Sequence, residues 1–501
     1  MDCCTNEKSS HQLVEVVYKS TLRDDCTAHN THKLHPENNN WKTVYLYFCA
    51  LSSNLAQITC GLMFAWVSPM SIKLLSNNTQ DNPLVTPITT MQLSLLGAFQ
   101  PMGIFVGALM VANICDLYGS KKCLTAVYSV MAISMAVVAC SSNILVYYLG
   151  LFFCGTTMGA ISVVMPIFIG EIAEDHNRGK ISCMVCTGCP IGTVLCYLIG
   201  SYVSFQSFNL ICAVPAALNA FCFLLAVPET PVYLVKLSNL AAARSVLSKI
   251  RNKTSKEIGT EIEKIQRELQ ETYTSKSKSG CSRILTDRCS RNGLVVALGS
   301  YILFATSGVT AFTAYLQPIF DAAGSSLSSS TLAVIVAVLQ VVSYGFASMC
   351  VEKLGSRNTI LFAVSSSSVP LILTGLYFYV KSHNPAMTQE YVWVPVCGLN
   401  LFMFLNVMGT ATVPLAIMNE VFVDQVKATA NSIIVVVSGI VMTIAVFSLP
   451  LLMERIGLAW CLWLYSLNCI IGSMFIYFFV PDTRGKSLLE IQDVLFNLFA
   501  K

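Results

Sequence analysis

The sequence predicts an all-α membrane protein of twelve transmembrane helices, arranged in two pseudo-symmetric six-helix halves. Three observations predict it. Hydrophobic residues make up 54% of the chain and charged residues only 12%, where a soluble domain carries roughly 25% charge. The apolar residues gather into twelve runs, and a bilayer core takes roughly 20 residues of helix to cross. Three charged motifs between those runs occur twice in the same order, once in each half of the chain.

Residues 1–42 are polar, mixed in charge and lack an apolar core segment, so they read as a disordered cytosolic tail without a cleavable signal. The spans follow at about 43–69, 90–115, 123–140, 145–170, 180–203 and 209–227, which form an N-terminal half over 43–233. The second set lies at about 293–320, 331–351, 358–380, 391–419, 429–453 and 457–480, within a C-terminal half over 292–480, and 481–501 is a cytosolic tail. Several runs exceed 25 residues, which predicts tilt or kinks. Between the halves, 234–291 is the one long connection. Leu240, Val246, Leu247 and Ile250 predict a short amphipathic helix in it. Ile258, Ile262, Ile265 and Leu269 recur at i, i+4, i+7 and i+11 and predict a second. Thr274 to Gly280 is rich in Ser and Lys and reads as flexible.

With both termini inside, every Lys and Arg except Lys73, Lys381 and Arg455 falls on the inner side, as the positive-inside rule requires. The first outer loop then carries Asn77-Asn78-Thr79, an acceptor sequence that predicts glycosylation at Asn77. Asn252-Lys253-Thr254 falls on the inner side and is expected to stay bare. The 21 cysteines are scattered through apolar runs with no disulfide spacing. Cys183, Cys186 and Cys189 share one helix face as small apolar residues rather than metal ligands. No cofactor or metal is expected, and no nucleophile–base pair suggests an enzyme. A net charge of +4 leaves no nucleic-acid footprint.

The repeated motifs carry the chemistry. Asp116-Leu117-Tyr118-Gly119-Ser120-Lys121-Lys122 joins spans 2 and 3, and Glu352-Lys353-Leu354-Gly355-Ser356-Arg357 joins spans 8 and 9. Glu171 and Arg178 bracket the turn between spans 4 and 5, as Glu420 and Lys427 bracket that between spans 10 and 11. Pro228-Glu229-Thr230-Pro231 ends span 6, and Pro481-Asp482-Thr483-Arg484-Gly485 ends span 12. A parallel duplication accounts for the order. Acids and bases at neighbouring helix ends are expected to pair as the halves close on the inner side and to release as they part. Each exposed pair is worth only about 0–1 kcal/mol, yet several together bias a two-state equilibrium. Gly119 and Gly355 fit tight turns.

Together with Gly155, Gly159, Pro166 and Gly179, and with Lys486, Ser487, Leu488 and Glu490 of the tail, these motifs resemble the sugar porters of the major facilitator superfamily over about residues 43–495. Ser68-Pro69 resembles the insect trehalose/hexose facilitator branch. The resemblance implies a cavity between the halves, alternating access and a neutral polyhydroxyl substrate. It also marks departures. Where the family carries Gln-Gln-Leu-Ser-Gly-Ile-Asn in span 7, this chain has Phe304-Ala305-Thr306-Ser307-Gly308-Val309-Thr310. Leu415 and the pair Ser438-Gly439 stand where pocket tryptophans are expected, and Cys186 where many members have glutamine. Leu151 and Val232 replace arginines, and Ser120 and Ser356 replace the first base of each hinge.

The polar residues left to contact substrate are Ser307, Thr310, Gln340, Asn406, Thr410 and Ser438. The expected partners are a small neutral solute, a sugar or polyol, and membrane lipid, for a monomer in the plasma membrane. No ionisable residue lies inside a span away from its ends, so facilitated diffusion is expected rather than proton coupling. The loss of pocket amides leaves one alternative, a non-transporting solute sensor on the same scaffold.

Overall fold

The computed structural model describes residues 40–78, 81–173, 185, 187–250, 255–275, 284, 286–422, 424–482, 484 and 488–497. Its elements are helices because lipid offers the backbone no hydrogen-bond partner, so each span must satisfy its own N–H and C=O groups. Helix α1 (Asn40–Phe64) continues after a short break as α2 (Val67–Leu75), followed by α3 (Thr90–Tyr118), α4 (Ser120–Cys140), α5 (Ile144–Ile172), α6 (Gly188–Gly200) and α7 (Phe205–Leu225). The connection holds α8 (Pro231–Lys236), α9 (Leu240–Ile250) and α10 (Ser255–Ser275). The second half holds α11 (Arg288–Thr306), α12 (Val309–Ala323), α13 (Ser329–Leu354), α14 (Ser356–His383), α15 (Pro385–Thr388), a 3-10 turn (Gln389–Tyr391), α16 (Trp393–Thr410), α17 (Val413–Val421), α18 (Asp424–Ile456) and α19 (Leu458–Phe479). Helix α20 (Leu488–Asn497) lies in the tail.

Eleven stretches of the described residues are long and apolar enough to cross a membrane, and their limits fall within a few residues of the expected spans. The twelfth expected span, 180–203, is described as Gly188–Gly200, a helix of 13 residues. The chain is an integral, multi-pass membrane protein. In lipid, helices associate through close packing rather than through a hydrophobic drive. Helices α3 and α5 show how the sequence arranges this. Gly103 and Gly107 on one face Gly155 and Gly159 on the other, and a Cβ on any of the four would run into a backbone oxygen of the opposite helix. Helix α4 packs on α7, and α1 on α6. In the second half α14 packs on α19 and α16, and α13 on α16. The halves meet along α3–α18, α6–α13 and α2–α12.

Helices α8, α9 and α10 form a small bundle at one end, called here the linker end, where Ile258 and Ile262 are buried against Val235, Ala243 and Leu247. Ile265 and Leu269 complete the expected stripe as partly buried residues. The stripe on α9 differs from expectation: Ala243, Leu247 and Ile250 are buried, while Leu240 is exposed because the bundle does not cover the first turn. Val246 and Ile250 belong instead to the main core, so α9 ties the bundle to the membrane helices. Helix α10 runs to Ser275, so Thr274 is helical rather than part of a flexible stretch. Residues 1–39, 252–254 with the inner acceptor sequence, and Cys183 and Cys186 lie outside the described residues. The tail helix α20 docks on α11, with Asn292 Nδ2 donating to the Leu495 carbonyl at 2.8 Å and the Arg288 guanidinium 5.2 Å above the Phe496 ring.

The two hinges adopt one geometry. Gly119 lies at φ 87°, ψ 159° and Gly355 at φ 84°, ψ 163°, where a side chain is strained. Each N–H closes the helix before it, Gly119 to the Cys115 carbonyl at 2.9 Å and Gly355 to Val351 at 3.0 Å. A Cβ on Gly119 would stand 2.8 Å from both Glu229 Oε2 and the Tyr233 ring, but one on Gly355 would meet Arg484 Cβ at 3.3 Å. Gly119→Ala and Gly355→Ala are therefore expected to destabilise by about 1–3 kcal/mol, Gly119→Ala more. Gly345→Ala, in an open helical position, is expected to cost nothing. Thermal unfolding in detergent checks the order.

Candidate functional site

At the linker end, Glu229 and Glu420 are met by backbone and hydroxyl groups. Glu229 Oε1 accepts the N–H of Lys121 at 3.0 Å and of Thr230 at 3.2 Å, so its charge sits at the N-terminus of α4, where the helix dipole favours it. Glu420 Oε1 accepts the Ser356 hydroxyl at 2.9 Å, at the N-terminus of α14. The serines found where the family has bases thus differ in use: Ser356 serves Glu420, while Ser120 Oγ lies 3.5 Å from Cys115 Sγ. Lys236 of the linker reaches Asp116, at 3.6 Å from Oδ1 and 2.9 Å from the carbonyl. Tyr233 OH donates to the Leu117 carbonyl at 2.8 Å. Arg357 donates to the Tyr477 carbonyl at 2.6 Å. The Asp482 carboxylate accepts the Arg484 N–H at 3.2 Å. Glu171 Oε2 and Thr230 Oγ1 are neighbours, both buried, without a well-formed hydrogen bond among the described residues. Lys122 and Glu352 are exposed. Arg178 lies outside the described residues, as does the side chain of Lys427.

The candidate substrate residues lie at the α11–α12 break and on α12, α13, α16 and α18. Ser307 Oγ returns to the Phe304 carbonyl at 3.1 Å, Thr310 Oγ1 to Ala305 at 3.4 Å and Ser438 Oγ to Val435 at 3.3 Å. Such local bonds are common for hydroxyls in helices. Asn406 donates to Ser367 Oγ at 3.0 Å and lies 3.7 Å from Cys469 Sγ, while its Oδ1 accepts the Thr410 hydroxyl at 2.8 Å. Asn406 is therefore engaged with α14 and α19, and Thr410 with Asn406, inside the second half. The Gln340 amide meets Met403 sulfur at 3.8 Å, a weak acceptor, which leaves its hydrogen-bonding capacity open.

The opposite, distal end is organised around α12. Gly308, at φ 99°, separates it from α11, and Tyr315, at φ −124°, ψ 24°, bends it. Pro318 causes the bend, because its ring collides with the carbonyl four residues earlier and it has no N–H to give. Four hydrogen bonds here cross from one half to the other. Tyr197 OH donates to the Thr313 carbonyl at 2.8 Å, and Tyr315 OH to Leu93 at 3.4 Å. The Gln317 N–H donates to Ser68 Oγ at 3.0 Å and its Nε2 to Ser201 Oγ at 2.9 Å. Ser68, Tyr197, Tyr315 and Gln317 are all buried. The Tyr315 ring stands against Gly97, where no side chain would fit, and lower on the same seam Phe105 seats on Gly439. Lys381 Nζ donates to the carbonyls of Ala322 and Ala323, each at 2.8 Å, and so anchors the far end of α12 to α14.

The bonds given for the linker end stay within one half or between a half and the linker. Four of those at the distal end cross the seam. A groove of about 670 Å³ between α14 and α16, lined by Leu373, Leu376, Trp393 and Leu401 among others, is apolar and lies between two helices of one half, not on the seam. Sequence reading found the hinge residues but missed Tyr197, Ser201, Tyr233, Lys236, Tyr315 and Gln317. One signal was present: Gly308 and Pro318 are two helix breakers inside one span.

Comparison with known proteins places this architecture. A family profile described as "Sugar (and other) transporter" matches residues 38–495. A facilitated trehalose transporter, Tret1, of Bombyx mori is 26% identical over 447 residues, covering 88% of this chain and 85% of that protein. The Tret1 of Culex quinquefasciatus is 23% identical over 96% of this chain and 92% of its own. An inward-open structure of the xylose transporter XylE from E. coli shares the fold with a TM-score of 0.73 at 17% identity, over 90% of this chain and 99% of that one. A crystal structure of a D-xylose–proton symporter gives 0.69 at 18% identity, over 88% and 100%. The match over nearly the whole chain, on a fold whose duplicated hinges are superposable in φ and ψ, leads to one conclusion: this chain belongs to the sugar (and other) transporter family.

Proposed function

We propose that the protein carries a sugar or another small neutral polyhydroxyl solute across a membrane by facilitated diffusion with alternating access. The observation that carries this reading is the asymmetry of the seam. Among the described residues, polar bonds join the halves at the distal end, while at the linker end Glu229 and Glu420 accept bonds from within their own halves. The curated relatives are named for trehalose, which supports a sugar as substrate.

The reading includes a layout. Residues 43–233 and 292–480 are the moving halves, 234–291 the linker, and 1–42 and 481–501 cytosolic tails. The linker end faces the cytosol, because the Lys and Arg residues concentrate there. Asn77 then lies outside, and its exposure between α2 and α3 suits glycosylation. The protein resides in the plasma membrane as a monomer. Gln340, with Ser307, Thr310 and Ser438, remains the substrate-facing set. Asn406 and Thr410 hold the second half together. The gating set is Asp116, Gly119, Lys121, Lys122, Glu171, Arg178, Glu229, Glu352, Gly355, Arg357, Glu420, Lys427, Asp482 and Arg484.

Uptake into proteoliposomes of labelled trehalose, a hexose and a polyol tests the reading. Uptake is expected to stop at equal concentrations inside and out, and to be unchanged when a protonophore removes the pH gradient. Loss of uptake with the gradient would replace facilitated diffusion by proton coupling. Binding without flux would favour the sensor. Phe304→Gln and Thr310→Asn add amides beside Ser307, and are expected to raise hexose affinity by about two- to tenfold, the worth of one added hydrogen bond. An unchanged affinity would remove this segment from the site. In insect cells, Asn77→Gln is expected to abolish a glycosidase-sensitive shift in gel mobility; a shift that persisted would place the sugar elsewhere.

A further inference from the structure

The groove between α14 and α16 opens on the outer surface of the second half, where spans meet lipid. It follows from how the two helices meet. A Cβ on Gly398 would stand 2.1 Å from Thr374 Oγ1 and 3.3 Å from the Pro370 carbonyl, so α16 rests directly on α14 there. The larger neighbours Leu373, Leu376 and Leu401 are left half-exposed beside that contact. The result is a cavity of about 670 Å³, inside the range of about 300–1,000 Å³ that holds small molecules. Its lining on α14 runs from Ser366 to Val380, about 21 Å of helix. Met387, Thr388 and Tyr391, from α15 and the 3-10 turn, line its distal end together with Trp393. Tyr391 and Trp393 are exposed, and such rings favour the level where lipid meets water.

The chemistry of the lining selects the occupant. Its hydroxyls already donate to carbonyls: Ser366 to Phe362 at 2.6 Å, Thr388 to Pro385 at 2.9 Å and Tyr377 to Ala323 at 3.3 Å. No charged residue is among those that line it. A sugar would forfeit its hydrogen bonds there, so the occupant is hydrocarbon along its length. Its polar end is small and neutral, because the distal rim does not suit an anion. Lys381, which follows the lining residue Val380, is engaged by the carbonyls of Ala322 and Ala323. Glu390, exposed in the 3-10 turn, repels a phosphate or carboxylate but accepts a hydroxyl. Pro370, Tyr377, Tyr391 and Trp393 give the lining rigid rings, and a rigid occupant against them loses little conformational freedom. We propose that this groove is a binding site for a membrane sterol, with its hydroxyl at the Glu390 turn and its ring system along Leu373, Leu376 and Leu401. Leu373, Tyr377 and Lys381 also have the spacing of a short pattern proposed for sterol contact, which alone carries little weight. The site lies within the second half, so it stands independently of alternating access.

The test uses the full-length protein in phosphatidylcholine nanodiscs that carry a photoreactive cholesterol analogue. Mass spectrometry maps the labelled peptides. Label is expected within residues 366–401, and an excess of unlabelled cholesterol is expected to displace it. Dioleoylglycerol, which is neutral and has one hydroxyl but flexible chains, is expected not to. The double variant Leu373→Trp/Leu401→Trp fills the groove from two half-exposed positions and is expected to lower labelling about tenfold. Leu149→Trp, at an exposed position on α5, is expected to leave it unchanged. Label spread evenly over the lipid-facing helices would overturn the proposal and reduce the groove to ordinary lipid contact. Equal displacement by dioleoylglycerol would overturn the sterol as occupant, and full labelling of the filled variant would overturn the site. The mapping and the competition use the native sequence, so they decide the matter even where the filled variant fails to fold.

Discussion

The constraint on which this structure depends is that lipid supplies no hydrogen-bond partner. Every backbone group in a span must be satisfied by the protein. This explains where the polar side chains go. Trp66, at the break between α1 and α2, donates to Asn209 of α7 at 2.8 Å. Lys73 and Lys381, two of the three bases expected on the outer side, donate to carbonyls at or just beyond the ends of α6 and α12. There a cation suits the helix dipole. The same constraint turns the bend in α12 into a contact with the other half.

A second consequence concerns what is rigid. Without a hydrophobic drive between helices, affinity comes from close approach. Facing glycines lock α3 to α5 backbone to backbone within one half. Across the seam, α3 meets α18 through Phe105 on Gly439 and Val446 on Gly97, and meets α12 through Tyr315 on Gly97, which are side-chain contacts. Side chains can exchange partners where interlocked backbones cannot. The difference suits two stiff halves that rock along the α3–α18 and α6–α13 seams.

Among the described residues, the charged motifs use neutral donors as well as opposite charges. Glu229 serves as a cap for α4, and Glu420 is met by Ser356. These bonds orient the helix ends inside each half, so that parting of the halves leaves each carboxylate with its neutral donors. In Asp116 and Lys236 the ion pair joins a half to the linker, and it is exposed enough to be worth little.

The sequence by itself determined the spans, the duplication, the hinge glycines and the stripe of α10. Each is recorded in local chemistry: run length, turn residues and a 3.6-residue period. The amphipathic helix α10 was legible because one face meets water and the other the bundle. The spans are apolar all round, since lipid and protein interior demand similar side chains, so periodicity does not say which face meets which neighbour. Tertiary structure alone decided that Asn406 bonds to α14, that Ser356 answers Glu420, and that Ser68 and Tyr197 hydrogen-bond to a helix more than a hundred residues away. Those pairings depend on which helices lie side by side, and nothing in the local sequence of a span encodes that.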